Sequence, residues 1–286
     1  MWFAALALAG MTLTAPAPAI QVEVVGTGRP MILIPGYLSS GEVWKRTVDR
    51  FKDRYQIHVV TVAGFAGAPA TASPRLQNVR DAIIDYAVTK KLEKPVLVGH
   101  SMGGVLALWI AATTPDLPSA VVSVDGVPFL PALMKPAATA ESAKPQAQQM
   151  KAIYASMTGT QLAAQTRMAL GSMISAPADI EQATAWAAAS DPATAGALIE
   201  DLMTTDIRGD MSRVTAPVLL IPALKAMSGD AAIMKNAVAA YERQVAPIPT
   251  HVTTPAHTLH FVMLDDPAFF LRTLEEFLAT QTAKVK

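Results

Sequence analysis

The stretch PVLVGHSMGG, residues 95–104, joins a short apolar run to a serine that is flanked by glycines. Pro95 to Val98 predicts a buried strand, and Ser101 to Thr113 predicts a helix that follows it directly. Gly-x-Ser-x-Gly between a strand and a helix is typical of a nucleophile elbow, a strained turn that lifts the serine hydroxyl clear of the sheet. We therefore predict that Ser101 is a nucleophile; the alternative is a glycine-rich turn with an unreactive serine.

On both sides of this stretch, strand-like and helix-like patterns alternate along the chain. Helical patterns at Glu42–Phe51 and Leu76–Val88 separate predicted strands, and a last helix is predicted to begin at Asp266-Pro267. This alternation implies right-handed crossovers and a mostly parallel sheet flanked by helices, so the predicted fold class is α/β. The predicted strands are Gln21–Val25, Met31–Ile34, Gln56–Val62, Pro95–Val98, Val121–Val124, Pro217–Ile221 and His251–Thr254.

One long stretch breaks the alternation. Residues 127–213 contain no strand-like run and consist of alanine- and methionine-rich helical patterns. One of these helices is expected to stop at Gly159, and Ser190-Asp191-Pro192 predicts the start of another. We predict a core formed by residues 20–126 and 214–286, and an all-helical cap, here called the helical insertion, formed by residues 127–213.

Residues 1–19 are interpreted as a processing segment. Trp2 to Leu13 carries no charge and is shorter than the roughly 20 apolar residues that span a bilayer. Ala17-Pro18-Ala19 offers the small residues of a signal-peptide cleavage site, although no lysine or arginine precedes the apolar run. The prediction is a secreted or periplasmic protein that begins near Ile20; the alternative is a cytoplasmic protein with a short N-terminal arm.

Composition limits the available chemistry. The chain has 286 residues, 23 basic and 23 acidic side chains, and no cysteine. Zero net charge argues against nucleic-acid binding, and the lack of cysteine excludes disulfides and a thiol nucleophile. No metal-ligand pattern, dinucleotide fingerprint or Walker loop is present in the sequence, so we expect no metal, no cofactor and no membrane span.

A serine nucleophile needs a base, and five histidines are available. His58 and His251 lie in predicted strands, and His100 lies beside the nucleophile, so structural roles are expected for all three. His257 and His260 follow the last predicted strand, where the order serine, acid, histidine places the base.

The predicted strand order, the Pro35-Gly36 loop, the elbow, the helical insertion and the C-terminal histidine together resemble the α/β-hydrolase superfamily. The segment from His260 to Pro267 is similar to the usual end of these serine hydrolases, and the resemblance therefore implies that His260 rather than His257 is the base. In most members the acid follows the strand that here ends at Ile221.

The acid has two candidates. No carboxylate follows Ile221 until Asp230, whereas Asp125 stands at the tip of the preceding predicted strand, where some superfamily members place their acid. We prefer Asp125 and keep Asp230 as the reserve, with a turn-capping role as the alternative for either.

The resemblance also implies an oxyanion hole formed by the backbone N–H groups of Met102 and Tyr37. Pro35 stands where the superfamily usually has histidine, a change that leaves these backbone donors in place. Candidate pocket residues in the helical insertion are Met134, Tyr154, Met157, Met168 and Trp186, since methionine-rich walls suit an adaptable apolar group.

The reaction implied is hydrolysis of a carboxylic ester of a small, largely apolar substrate through a Ser-His-Asp triad and an acyl-enzyme. Two alternatives stay open. The same triad could act on a thioester, amide or lactone, or in perhydrolysis, and a non-catalytic member of the fold could bind a small hydrophobic ligand. The sequence does not indicate an oligomeric state.

Overall fold

The computed structural model describes residues 18–225, 229–248, 251–254 and 256–282. The predicted signal peptide, residues 1–19, lies outside the described residues apart from its last two. Among the described residues, no helix combines the length and apolarity needed to cross a bilayer.

Within the described residues, seven strands form one sheet in the order β1-β3-β2-β4-β5-β6-β7. The edge strand β1 is antiparallel to β3, and every other neighbouring pair is parallel. This sheet confirms the predicted α/β class. The strands are β1 Ile20–Val25, β2 Arg29–Ile34, β3 Tyr55–Val62, β4 Val96–His100, β5 Ala120–Val124, β6 Val218–Ile221 and β7 His251–Thr253.

The central strands are apolar because both of their faces are covered. Every residue of β4, β5 and β6 is buried, which is the pattern of parallel strands between two helical layers. Strand β4 extends two residues beyond the predicted end at Val98, so Gly99 and His100 still pair with β5. Ser101 therefore lies directly at the carboxyl edge of the sheet.

Outside the helical insertion, the described part of the chain forms the α-helices α1 Lys45–Phe51, α2 Leu76–Thr89, α3 Met102–Thr113, α9 Ala231–Val245, α10 Val262–Asp265 and α11 Pro267–Thr282. The predicted helix at 42–51 divides into a 3₁₀ turn, Gly41–Trp44, and α1. The last helix begins at Pro267, as predicted. Helix α9 is additional to the elements that the sequence analysis proposed.

Between β5 and β6 the described chain forms only helices. These are α4 Pro131–Met134, α5 Ala140–Ala155, α6 Gly159–Leu170, α7 Pro177–Ala188, α8 Pro192–Thr204 and a 3₁₀ helix at Arg208–Arg213. Gly159 begins α6, which Thr158 caps, so the expectation that Gly159 ends the preceding helix is wrong. Asp191 caps α8 and Pro192 is its first residue, as predicted.

The helical insertion is hydrogen-bonded to the core at the loop after β3 and at the start of α2. The Asp191 amide donates to the carbonyl of Gly64 at 2.7 Å, and the Ala66 amide donates to the hydroxyl of Ser190 at 2.9 Å. Asp201, buried on α8, accepts from the Leu76 amide at the start of α2 at 2.9 Å. These contacts fix α8 above the carboxyl edge of the sheet, where the functional side chains lie.

Candidate active site

Ser101 lies between β4 and α3 with φ of 53° and ψ of −117°, a left-handed conformation that strains a residue with a side chain. Two glycines permit this turn. A β-carbon on Gly99 would lie 2.0 Å from the carbonyl oxygen of Gly103, and one on Gly103 would lie 2.2 Å from that of Ile34. Strand and helix therefore approach closely enough to form the elbow only because both positions lack side chains.

Asp125 follows β5 directly and also has a left-handed backbone, with φ of 51°. Its Oδ1 accepts from the Ala223 amide at 3.0 Å and from the Tyr241 hydroxyl at 2.5 Å. Its Oδ2 lies 2.5 Å from Nδ1 of His260. Because parallel strands end at one edge of the sheet, a carboxylate at the tip of β5 reaches the loop that follows β7.

His260 lies in that loop, between β7 and α10. The loop is held by the Leu259 amide, which donates to Oδ2 of Asp265 at 3.0 Å. Since Asp125 engages Nδ1 of His260, Nε2 is the ring nitrogen left to exchange a proton with a nucleophile. Ser101 and His260 line one cavity. Within the described part of the chain the two are not hydrogen-bonded; such contacts often tighten only when substrate binds.

The electrostatics of Asp125 favour the ionised carboxylate. Burial alone would raise its pKa, but the hydrogen bond and charge of His260, the Ala223 amide and the Tyr241 hydroxyl together hold the pKa below its usual value. Burial, followed by the charge and hydrogen bond of Asp125, raises the pKa of Tyr241 far above its usual value. Tyr241 therefore keeps its proton and donates a hydrogen bond to the carboxylate.

His100 is fully buried and its ring lies against that of His260. Its Nε2 donates to the backbone carbonyl of His260 at 3.0 Å, and the two rings lie 4.6 Å apart between centroids. Burial and then the neighbouring His260 lower the pKa of His100 to about 3, so the ring is neutral at physiological pH. The structural role expected for His100 stays a prediction, and the residue borders the cavity that Ser101 lines.

The cavity above Ser101 has a volume of about 420 Å³. Its described lining contains no lysine or arginine, and most of its wall is aliphatic. Polar side chains in the lining are those of Ser101, Asp125, the two histidines, Tyr37, Tyr154, Tyr241, Gln165 and Thr166. The aliphatic wall includes Leu38, Val105, Val127, Leu130, Leu133 and Ile199.

The two backbone groups expected to form the oxyanion hole border this cavity. Tyr37 follows β2 and Met102 begins α3, and both line the cavity with Ser101. Among the described residues, neither N–H donates to another group. The Tyr37 hydroxyl donates to the carbonyl of Ala195 on α8 at 2.8 Å, so its side chain joins the oxyanion loop to the helical insertion.

Of the five predicted pocket residues, only Tyr154 lines the cavity. Met134 is 83% exposed and Met168 is 84% exposed, because both point outward from α4 and α6. Met157 lines a separate shallow depression on the outer face of the helical insertion. Trp186 is buried and donates from Nε1 to Glu42 at 3.2 Å, facing the edge of the sheet near β1.

Asp230 and His257, the alternative acid and base candidates, do not line the cavity. Asp230 caps α9, with Oδ1 accepting from the amides of Ala232 and Ile233, and it does not line the cavity. His257 is exposed.

Tyr241 is a site residue that the sequence analysis missed, since no motif surrounds it. Across the described ranges, no three His, Asp or Glu side chains gather into a group that could hold a metal ion.

Comparison with known proteins relates the chain to hydrolases. A pimeloyl-[acyl-carrier protein] methyl ester esterase from Vibrio cholerae is 27% identical over 110 residues, which is 38% of this chain and 42% of the relative. An (E)-2-((N-methylformamido)methylene)succinate hydrolase from Acinetobacter baylyi is 30% identical over 103 residues, covering 36% and 39%. The chain thus spans about two fifths of the length of the curated relatives it matches.

Solved structures share the fold over almost the whole chain. The enol-lactonase from Burkholderia xenovorans superposes with a TM-score of 0.73 at 14% identity, covering 91% of this chain and 96% of that one. A thermophilic esterase from Thermogutta terrifontis gives 0.70 at 17% identity, covering 92% and 93%. A sequence model of the α/β hydrolase family matches residues 31–273. The chain therefore belongs to the α/β hydrolase family.

Proposed function

We propose that this protein is a serine hydrolase that cleaves the carboxylic ester of a small, largely apolar substrate. The observation that carries the proposal is the 2.5 Å contact between Oδ2 of Asp125 and Nδ1 of His260, in the cavity that Ser101 lines. An ionised, buried carboxylate on Nδ1 fixes the imidazole tautomer that leaves Nε2 available as a base.

In the proposed reaction, Nε2 of His260 takes the proton of Ser101 as the hydroxyl oxygen attacks the ester carbonyl. The tetrahedral oxyanion is stabilised by the N–H groups of Tyr37 and Met102. His260 then gives its proton to the departing alcohol, leaving an acyl-serine. Water, deprotonated by the same histidine, attacks the acyl-serine, and the carboxylic acid is released with Ser101 restored.

The lining of the cavity supports an uncharged substrate. A carboxylate bound in this space would lack a lysine or arginine partner among the described lining residues, and burying an unpaired charge is costly. The aliphatic wall favours acyl or alcohol groups of a few carbons, which a volume of about 420 Å³ can hold. We propose that the helical insertion acts as a cap, because α5, α6 and α8 supply much of this wall.

Other chemistry on the same triad would need the same residues. Hydrolysis of a thioester, amide or lactone, and perhydrolysis, differ only in the leaving group or attacking species. A non-catalytic member of the family would bind an apolar ligand in this cavity without turnover.

Export guided by residues 1–19 is part of the proposal. N-terminal sequencing of protein from its own host tests it, and the expected result is a mature chain that begins near Ile20.

A panel of p-nitrophenyl esters from acetate to decanoate tests the function. We expect turnover that is greatest for short and medium chains, and a loss of at least about a thousandfold in Ser101→Ala. Ser73→Ala, at an exposed serine outside the cavity, is the matched control and should match the wild type. Absence of wild-type turnover on every ester of the panel would contradict the proposal.

A further inference from the structure

Asp125 is held by more donors than a catalytic carboxylate needs to orient one imidazole. Oδ2 faces His260, while Oδ1 accepts from the Ala223 amide at 3.0 Å and from the Tyr241 hydroxyl at 2.5 Å. The amide belongs to the chain just after β6, but the hydroxyl comes from α9, 116 residues from Asp125 in sequence. The tyrosine contact is therefore a separate feature built by tertiary packing.

Helix α9 holds Tyr241 firmly in place. The Tyr241 side chain is 8% exposed, and the neighbouring Gln244 is buried on the same helix. Gln244 accepts from the backbone amide of Phe129 at 2.8 Å, which ties α9 to the segment that follows Asp125. The contact between α9 and the segment that follows Asp125 thus supports the position from which the hydroxyl reaches Oδ1.

We propose that Tyr241 is a positioning residue, which sets the orientation of the Asp125 carboxylate and weakens the hold of that carboxylate on the imidazolium form of His260. The inference rests on the proposed function for its catalytic meaning. Two donors on Oδ1 restrict rotation of the carboxylate, so that Oδ2 stays aligned with Nδ1 of the histidine. The donated O–H also draws negative charge toward Oδ1, away from the oxygen that faces His260.

Weakening that hold has a kinetic use. A carboxylate with its full charge at Oδ2 would keep His260 protonated up to higher pH, and a protonated His260 cannot accept the proton of Ser101. The Tyr241 hydroxyl therefore extends the active range toward lower pH. The titratable side chains that act on Asp125 among the described residues are His260 and Tyr241, and fully buried His100 also faces the His260 ring.

Tyr241→Phe removes the hydroxyl and keeps the buried ring. Tyr86→Phe is the matched control, because Tyr86 also pairs with a histidine, His58, at 2.9 Å but lies outside the cavity. We expect Tyr241→Phe to lower kcat about tenfold with little change in KM, and to move the acid limb of kcat/KM to higher pH by about half a unit. Tyr86→Phe should change none of these quantities.

A second readout needs no substrate and separates this inference from the proposed function. Protein labelled with ¹⁵N in its histidines reports proton uptake by His260 directly, and the His260→Gln spectrum identifies its signals. The His260 titration midpoint should rise by about half a unit in Tyr241→Phe, whether or not any ester is hydrolysed. An unchanged midpoint in the folded variant would overturn the proposal and leave Tyr241 a packing residue only.

Discussion

Asp125→Asn is the substitution that tests the arrangement of the base most sharply. Asparagine has one acceptor oxygen, and two donors already converge on the Oδ1 position, the Ala223 amide and the Tyr241 hydroxyl. The oxygen of the substituted side chain would stay with these donors, so its NH₂ group would face Nδ1 of His260. A donor at that position forces the imidazole proton onto Nε2.

An imidazole with its proton on Nε2 cannot accept the proton of Ser101. In serine proteases the equivalent change of the acid to asparagine lowers kcat by about 10⁴, or roughly 5 kcal/mol of transition-state stabilisation. We expect a loss of that order here, because the substituted side chain faces Nδ1 across the same 2.5 Å contact and thereby leaves the imidazole proton on Nε2. Binding of substrate should change little, since both carboxylate oxygens are held by protein groups, Oδ1 by the Ala223 amide and the Tyr241 hydroxyl and Oδ2 by His260.

Asp230→Asn is the matched control. Its Oδ1 accepts from the amides of Ala232 at 2.7 Å and Ile233 at 3.1 Å, and asparagine caps helices about as well as aspartate. We expect activity within about twofold of wild type and a stability change of roughly a few tenths of a kcal/mol. Rates on p-nitrophenyl butyrate compare the variants. Near-normal turnover in Asp125→Asn with a loss of orders of magnitude in Asp230→Asn would refute the assignment of the acid.

Three further predictions concern stability and the cavity. Between pH 7 and pH 4, the free energy of unfolding measured by urea titration should fall by about 3 kcal/mol less in His100→Gln than in the wild type. A histidine with a lowered pKa takes up its proton only on unfolding, so the wild-type protein loses stability as pH falls below about 6.5. Equal falls in the wild type and the variant would contradict this prediction. Asp201→Ala should cost about 1–3 kcal/mol by stranding a buried amide at the start of α2, whereas Arg75→Ala, at its exposed partner, should cost less than about 1 kcal/mol. Ala169→Phe should reduce turnover of p-nitrophenyl octanoate relative to p-nitrophenyl acetate about tenfold, because Ala169 lines the cavity. Met168→Phe, at the neighbouring residue that faces solvent, should leave this ratio unchanged. The same change of the ratio in both variants would show that the cavity is not the substrate site.

The sheet and the elbow could be predicted because their determinants are local. Strands buried on both faces require continuous apolar runs such as the one that ends at Val98, and the elbow requires glycine at Gly99 and Gly103 for steric reasons visible in the sequence. The position of Asp125 at the tip of β5 follows from the apolar run that ends at Val124. Helix α9 was missed because it lies in a stretch for which no periodic pattern was recognised.

The walls of the cavity could not be predicted in the same way. Helical periodicity identifies residues that share a face, but it does not show which face meets the site. Met168 and Ala169 are neighbours on α6, yet Met168 is 84% exposed and Ala169 lines the cavity. Tyr241 meets Asp125 only through the packing of α9 against the segment after β5, a contact that depends on tertiary structure.

The reactivity of Ser101 can be measured without knowing the substrate. A fluorophosphonate forms a bond between its phosphorus and an activated serine oxygen and releases fluoride, so intact-mass and peptide analysis locate the modified residue. We predict stoichiometric labelling of Ser101 in the folded protein, with labelling slowed by orders of magnitude in His260→Gln and Asp125→Asn. Folded wild-type protein that stays unlabelled at Ser101, or that is labelled equally fast without His260, would contradict the proposed triad.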